Sequence, residues 1–175
     1  VSNGSMMTVP NFPRRLKALQ ERGGKMIVID PRRTETAKRA DAHHFIKPET
    51  DALFLAAIIN EIIKNDKVAL NRFEKNVKGL DILKTAIKDF TAEKAAPITG
   101  ISATEIKAIA KEMTDSETAI CYSRMGASTQ LFGGLCQWLT NALNILTGNF
   151  DEAGGAMFTI PAFDHIMASS KKGKP

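Results

Sequence analysis

The residues best suited to chemistry fall in one short run, Ile29-Asp30-Pro31-Arg32-Arg33-Thr34. The carboxylate follows Met26-Ile27-Val28-Ile29, an apolar, β-branched stretch that reads as a buried strand introduced by Gly23-Gly24. In open α/β sheets, ligands lie beyond the C-terminal ends of the strands. An Asp at that edge can accept from both hydroxyls of a ribose or from the N–H edge of a base. An Arg beside it can fork onto phosphate or carbonyl oxygens. The run reads as a nucleotide-holding edge. Plainer roles exist for the same residues: Asp30 as an acid capping the next helix, and Arg32 and Arg33 as surface arginines paired with Glu35.

Other reactive side chains point to less. Cys121 and Cys136 sit in apolar surroundings without CxxC spacing and read as buried free thiols. His43-His44 lies in an extended segment, where neighbours point opposite ways, and only His165 remains to help it. No HExxH or cysteine cluster occurs, so no metal ligand is assigned. No nucleophile has an adjacent base, so no catalytic residue is assigned either.

The formal net charge of +5 raises the question of nucleic acid. Lysines are spread along the chain, no compact Lys/Arg cluster occurs outside the tail, and a single Tyr and a single Trp offer little stacking surface. A solvated, mildly basic surface is the better reading. No apolar run approaches the ~20 residues that cross a bilayer, so direct membrane insertion is not expected. A cytoplasmic location is expected, although a longer protein containing this chain could be periplasmic or membrane-associated through other subunits.

The elements that must position Asp30 follow from periodicity. Pro10, Asn11 and Pro13 bracket a helix start, and the helix ends at Gly23-Gly24. A strand over 25–29, a short helix over 34–40, and an extended His44-Phe45-Ile46 stopping before Pro48 come next. A helix over 51–64 is apolar nearly all round, which suits burial between layers. Residues 65–97 read as a helical excursion that stops before Pro97. Ser102 to Glu105 matches a capping box, and Ile106, Ile109, Ala110 and Met113 stripe the helix it opens. Ala119 to Tyr122 reads as a second strand, and a helix follows over 131–145. This alternation predicts an α/β fold, a Rossmann-like parallel sheet flanked by helices. The sheet would lack its first strand because the chain is a fragment. The expected division is a nucleotide-binding domain over 1–163 and a flexible tail over 164–175.

The run from Gly24 to Asp51 resembles the molybdopterin oxidoreductase family, the formate dehydrogenase, nitrate reductase and dimethyl sulfoxide reductase group. Thr99-Gly100-Ile101-Ser102-Ala103 resembles the family's next segment. Met125 to Gln130, and Leu143 to Asn149 followed by Gly154-Gly155, resemble the two after it, in order and roughly at the family's spacing. The resemblance implies an internal, cofactor-holding portion of a catalytic subunit. The intact enzyme would bind molybdenum or tungsten through molybdopterin guanine dinucleotide and act on formate, nitrate or a similar small molecule. It also implies an iron–sulfur cluster in a preceding part, the remaining domains of the subunit as partners, and electron-transfer subunits beyond them. The fragment alone is expected to be inactive.

By the same likeness, Asp30 and Arg32 would hold the guanosine end and Asp51 the guanine donor edge. Ser2 and Asn3 resemble a phosphate- and ribose-side loop, and Met125, Gly126 and Gln130 a loop near the pterin. Glu49 stands where the family commonly has Gly. Plainer readings stay beside these: Asp51 as a helix-start charge, Met125-Gly126 as a flexible turn, with Gly126 serving either a positive φ or close approach of a ligand, and Gln130 as a surface residue. An alternative function is an independent nucleotide-binding or assembly domain with no redox cofactor.

Overall fold

A computed structural model describes residues 5–157. It places nine α-helices and two short strands among them. In chain order these are α1 (Ser5–Thr8), α2 (Phe12–Glu21), β1 (Ile27–Ile29), α3 (Glu35–Arg39), β2 (Ala42–His44), α4 (Asp51–Lys64), a 3-10 turn (Asn71–Phe73), α5 (Leu80–Ile87), α6 (Ala92–Thr99), α7 (Ala103–Asp115), α8 (Met125–Ser128) and α9 (Gly133–Leu146).

Helix α4 spans the residues its sequence pattern indicates, and it is the centre of the molecule. Helices α5, α6, α7 and α9 pack around it. Its all-round apolar sequence follows from this: Leu55, Ile58, Ile59 and Ile62 are each at most 1% exposed. One polar residue it buries has a specific task. The Asn60 Nδ2 donates to the carbonyls of Ile87 (2.9 Å) and Lys88 (3.1 Å), which end α5 and lack partners within that helix. Helix α7 opens with the expected capping box. The Ser102 Oγ accepts from the Glu105 N–H (3.2 Å), and Glu105 Oε2 accepts from the Ser102 N–H (2.9 Å).

Helix α6 runs through Pro97 to Thr99 instead of stopping before it. Pro97 cannot donate to the Glu93 carbonyl, but the turn is held from outside. The Lys47 N–H donates to Thr99 O (2.8 Å), Lys47 Nζ donates to Pro97 O (3.0 Å), and Gly100 closes the helix in the left-handed region at φ 81°.

The expected Rossmann-like parallel sheet is not what the chain forms. Among the described residues the sheet has two strands, β1 and β2, parallel and joined through α3, with Ile27 opposite Ala42 and Ile29 opposite His44. The fold is mainly helical, with this small β-α-β unit at its side. The second strand expected, Ala119 to Tyr122, belongs to no sheet. Side chains of the α9 region satisfy its backbone instead. The Asn144 Oδ1 accepts from the Cys121 N–H (2.8 Å), Asn144 Nδ2 donates to Cys121 O (2.8 Å), and Asn149 Oδ1 accepts from the Ala119 N–H (3.0 Å). A carboxamide carries the same donor and acceptor as a peptide group, so Asn144 gives Cys121 the two bonds a neighbouring strand would supply.

Candidate functional site

The β1–α3 junction forms as the sequence indicates, with the roles of its residues now distinct. Asp30 follows β1 and is 1% exposed. Its N–H donates to His44 O (3.2 Å), which extends the strand pairing by one residue. Its Oδ1 accepts from the Arg32 N–H (2.8 Å), an Asx turn that carries the chain over Pro31. The cap of α3 is Thr34, whose Oγ1 accepts from the Ala37 N–H (3.2 Å). Asp30 is therefore not the capping acid, and its Oδ2 is buried without a hydrogen-bond partner among the described residues. Buried polar atoms are rarely left this way, and each one calls for an explanation.

Around this carboxylate the arginines are uncommitted. Arg32 and Arg33 are exposed and enter no ion pair among the described residues, while Glu35 is taken by Lys38 at 2.6 Å. The imidazole of His43 lies 3.0 Å from Asp30 O through Nε2 and packs edge-on to Phe45, with ring centroids 4.4 Å apart. His44 points elsewhere, its Nδ1 lying 3.0 Å from Glu105 Oε1. The two histidines thus diverge, as extended backbone requires. Sequence reasoning weighed His43 only as a metal ligand; its place opposite the strand end was the signal for this positioning role.

A second group gathers three further residues. Asp51, the first residue of α4, is 5% exposed, and its Oδ2 accepts from Gln130 Nε2 (2.8 Å). The same Nε2 also donates to Gly126 O (3.1 Å). Gln130 is thus a tie between α4 and the α8 loop. Gly126 lies inside α8 and is not among the residues with positive φ, so the turn role read from sequence does not apply. Met125 is 70% exposed at the start of α8. The tight turn falls at Gly133 instead, where an added Cβ would meet Ser128 O at 2.1 Å. Among the described residues no hydrogen bond or ion pair joins Asp30 or Arg32 to the Asp51 group. Ser2 and Asn3 lie outside the described residues.

The site's supports include residues that sequence reasoning passed over. Asn144 and Asn149 fix the 119–121 backbone that leads into α8. Their signal was the pairing of buried-face asparagines with an apolar extended run. Glu49, just ahead of α4, adopts φ 68°, the left-handed region that Gly enters without strain. Burial pushes both thiols up to about 11, at Cys121 by burial alone and at Cys136 by burial and then the nearby Asp51 carboxylate. Neither thiol is activated as a nucleophile. Among the described residues no group of three or more His, Cys, Asp and Glu comes together to hold a metal, and no helix is long and apolar enough to cross a membrane.

No family model matches the chain. The chain is similar to the F420-dependent formate dehydrogenase subunit alpha of Methanocaldococcus jannaschii, 32% identical over 166 residues, covering 94% of this chain and 24% of that one. It is similar in the same way to the F420-dependent formate dehydrogenase 1 subunit alpha of Methanococcus maripaludis, 30% identical over 172 residues and again covering 94% and 24%. Among solved structures it resembles acetylene hydratase from Pelobacter acetylenicus. That match has a TM-score of 0.75 and 29% identity, covering 82% of this chain and 20% of that one. The chain thus spans about a quarter of the length of these two subunits.

Proposed function

Because the chain is homologous, at family level, to the molybdopterin oxidoreductase superfamily and matches an internal region of longer members, we propose that it is a nucleotide-binding and assembly section. It holds the guanosine end of a bound group and contributes no metal cage of its own. The observation that carries this reading is Asp30: a buried carboxylate at a strand end, one oxygen engaged by an Asx turn and the other unbonded. An orphaned acceptor fits a hydroxyl or N–H donor brought by a ligand. The unpaired guanidinium groups of Arg32 and Arg33 suit its anionic part.

The group implied by the family is molybdopterin guanine dinucleotide with molybdenum or tungsten, and it supplies two-electron redox chemistry when bound. The residues present fit its nucleotide end. Asp30 Oδ2 would accept from the guanosine moiety and Arg32 would reach the same nucleotide. Asp51 would accept from the guanine edge through Oδ1, since Oδ2 is engaged by Gln130. Met125, Gly126 and Gln130 would form the wall toward the pterin; Ser2 and Asn3, which the resemblance assigns to the phosphate and ribose side, lie outside the described residues. The metal would be held elsewhere in a longer polypeptide. The relatives are named for formate dehydrogenase and acetylene hydratase, so the reading rests on the cofactor that the family resemblance implies and on no single substrate.

GDP titration of the 175-residue chain and its Asp30→Asn variant tests this. Asn keeps the shape and removes the charge, so binding should weaken by about 1.5–3 kcal/mol, the scale of a hydrogen bond to a charged group. The melting midpoint should move little, because Thr34 caps α3. Equal GDP affinity in the two proteins, or a chain that binds no GDP, overturns the reading.

A further inference from the structure

From Met125 to Phe150 the chain carries no charged side chain. This stretch is not simply core. Leu131 is 64% exposed, Phe132 61%, Leu135 46% and Trp138 53%. Large exposed apolar side chains concentrated in one stretch point to a contact site. It leads into a groove of about 350 Å3 between α9 and the turn before α5. One wall is Trp138, Asn141, Ala142 and Ile145, spaced as one helical face. Val77, Leu80 and Leu83 from the α5 side line it too, together with Phe73 and Leu146. Gly79, in the left-handed region at φ 79°, turns the chain at the groove's edge into α5.

One charge lines the groove, the exposed Lys78. It enters no ion pair among the described residues, and neither do Lys75 and Lys84 nearby, although Glu74 and Asp81 share the stretch. The chemistry is therefore an apolar trough with an uncommitted cation on its rim. We infer that this groove receives an amphipathic helix with an acidic flank, supplied by the rest of a longer polypeptide. A helix laid in such a trough anchors at i, i+3, i+4 and i+7. A carboxylate on its flank would meet Lys78, which sets its orientation. The source is argued from length: about three quarters of the length of these relatives lies outside the stretch this chain matches. The groove does not involve Asp30 or Asp51 and is independent of the nucleotide reading.

Trp138 is the sole tryptophan and forms the groove wall, so its fluorescence reports occupancy directly. Two designed helices of about five turns serve as chemical probes, one with a leucine stripe and glutamate flank, the other with lysine in place of glutamate. Peptides tiled across the parts of the Methanocaldococcus jannaschii subunit outside the match serve as probes of source. The acidic helix should give a saturable blue shift of Trp138 emission and bind about tenfold tighter than the basic one. Lys78→Glu and Asn141→Glu, both on exposed positions, should each weaken it about three- to tenfold. At least one tile should compete with it. Equal binding of the two designed helices, indifference to both substitutions, or no competing tile overturns the inference. So does a blue shift that depends only on protein concentration and accompanies dimerisation in sedimentation, which would assign the face to a second copy.

Discussion

Replacing Asn144 tests how the 119–122 segment is held. Its side chain is 1% exposed and makes two bonds to Cys121, accepting from N–H and donating to C=O, both at 2.8 Å, with a further donation to Thr140 O at 3.0 Å. Asn144→Ala removes both bonds to Cys121. At roughly 1 kcal/mol net for each, plus part of the desolvation of the groups left bare, the loss should be about 2–4 kcal/mol. That is a large share of the roughly 5–15 kcal/mol a domain has to spend. Asn144→Asp is the sharper variant. One oxygen still accepts from the Cys121 N–H, but the other now faces the Cys121 and Thr140 carbonyls as an acceptor. The carboxylate is disfavoured there, so its folded-state pKa rises, and the penalty should be fullest at neutral pH and shrink on acidification. Urea unfolding at pH 7 and pH 4, with hydrogen exchange at the Cys121 amide, measures all of this. A loss under about 0.5 kcal/mol for Asn144→Ala, or an Asp variant whose deficit is the same at both pH values, would refute the account.

Leu55→Ala or Ile59→Ala should cost about 2–5 kcal/mol in chemical unfolding, since both side chains are enclosed by helices on all sides; a cost below 0.5 kcal/mol would contradict the central position of α4. Glu49→Gly should stabilise by about 0.5–1 kcal/mol, the roughly 1–2 kcal/mol relief of left-handed strain less the extra chain entropy of glycine; a lower melting midpoint would show that φ 68° is not strained. The Glu105 carboxyl is held below its ordinary 4.5, chiefly by the Ser102 hydroxyl and then by the Ser102 N–H, with His44 adding less. A depressed carboxyl contributes stability that is full above its unfolded pKa and lost as pH falls through the folded one. Ser102→Ala should therefore lower the melting midpoint most at neutral pH, with the gap to the parent closing below about pH 4; a gap constant from pH 7 to 3 would count against it.

How much was legible depended on whether a signal was contained within one segment. Helix α4 was readable because a continuous apolar run with Asp51 at its head needs nothing else to identify it. The box from Ser102 to Glu105 was readable because both partners lie within four residues. The residues from Ala119 to Tyr122 carry strand-like chemistry, but strand identity depends on a neighbour that a local pattern does not contain. Asn144 and Asn149, more than twenty positions later, took that place. Pro97 misled for the same reason: the groups that hold its turn come from Lys47, fifty residues earlier. At the candidate site, Asp30 was legible as a carboxylate at a strand end, whereas its unbonded oxygen depended on Thr34 taking the cap. The Asp51–Gln130 tie joins positions seventy-nine apart, and neither residue's local pattern announces the other.

The brevity of the β1–β2 pair also bears on how the chain behaves at high concentration. Among the described residues each strand has a strand neighbour on one side only, and open strand edges are templates on which other extended chains can add. Three residues per strand offer very little ladder for such an addition. Proteins use short edge strands as a safeguard against sticking edge to edge. That shortness thus protects a crowded preparation from fibril-like growth at its sheet.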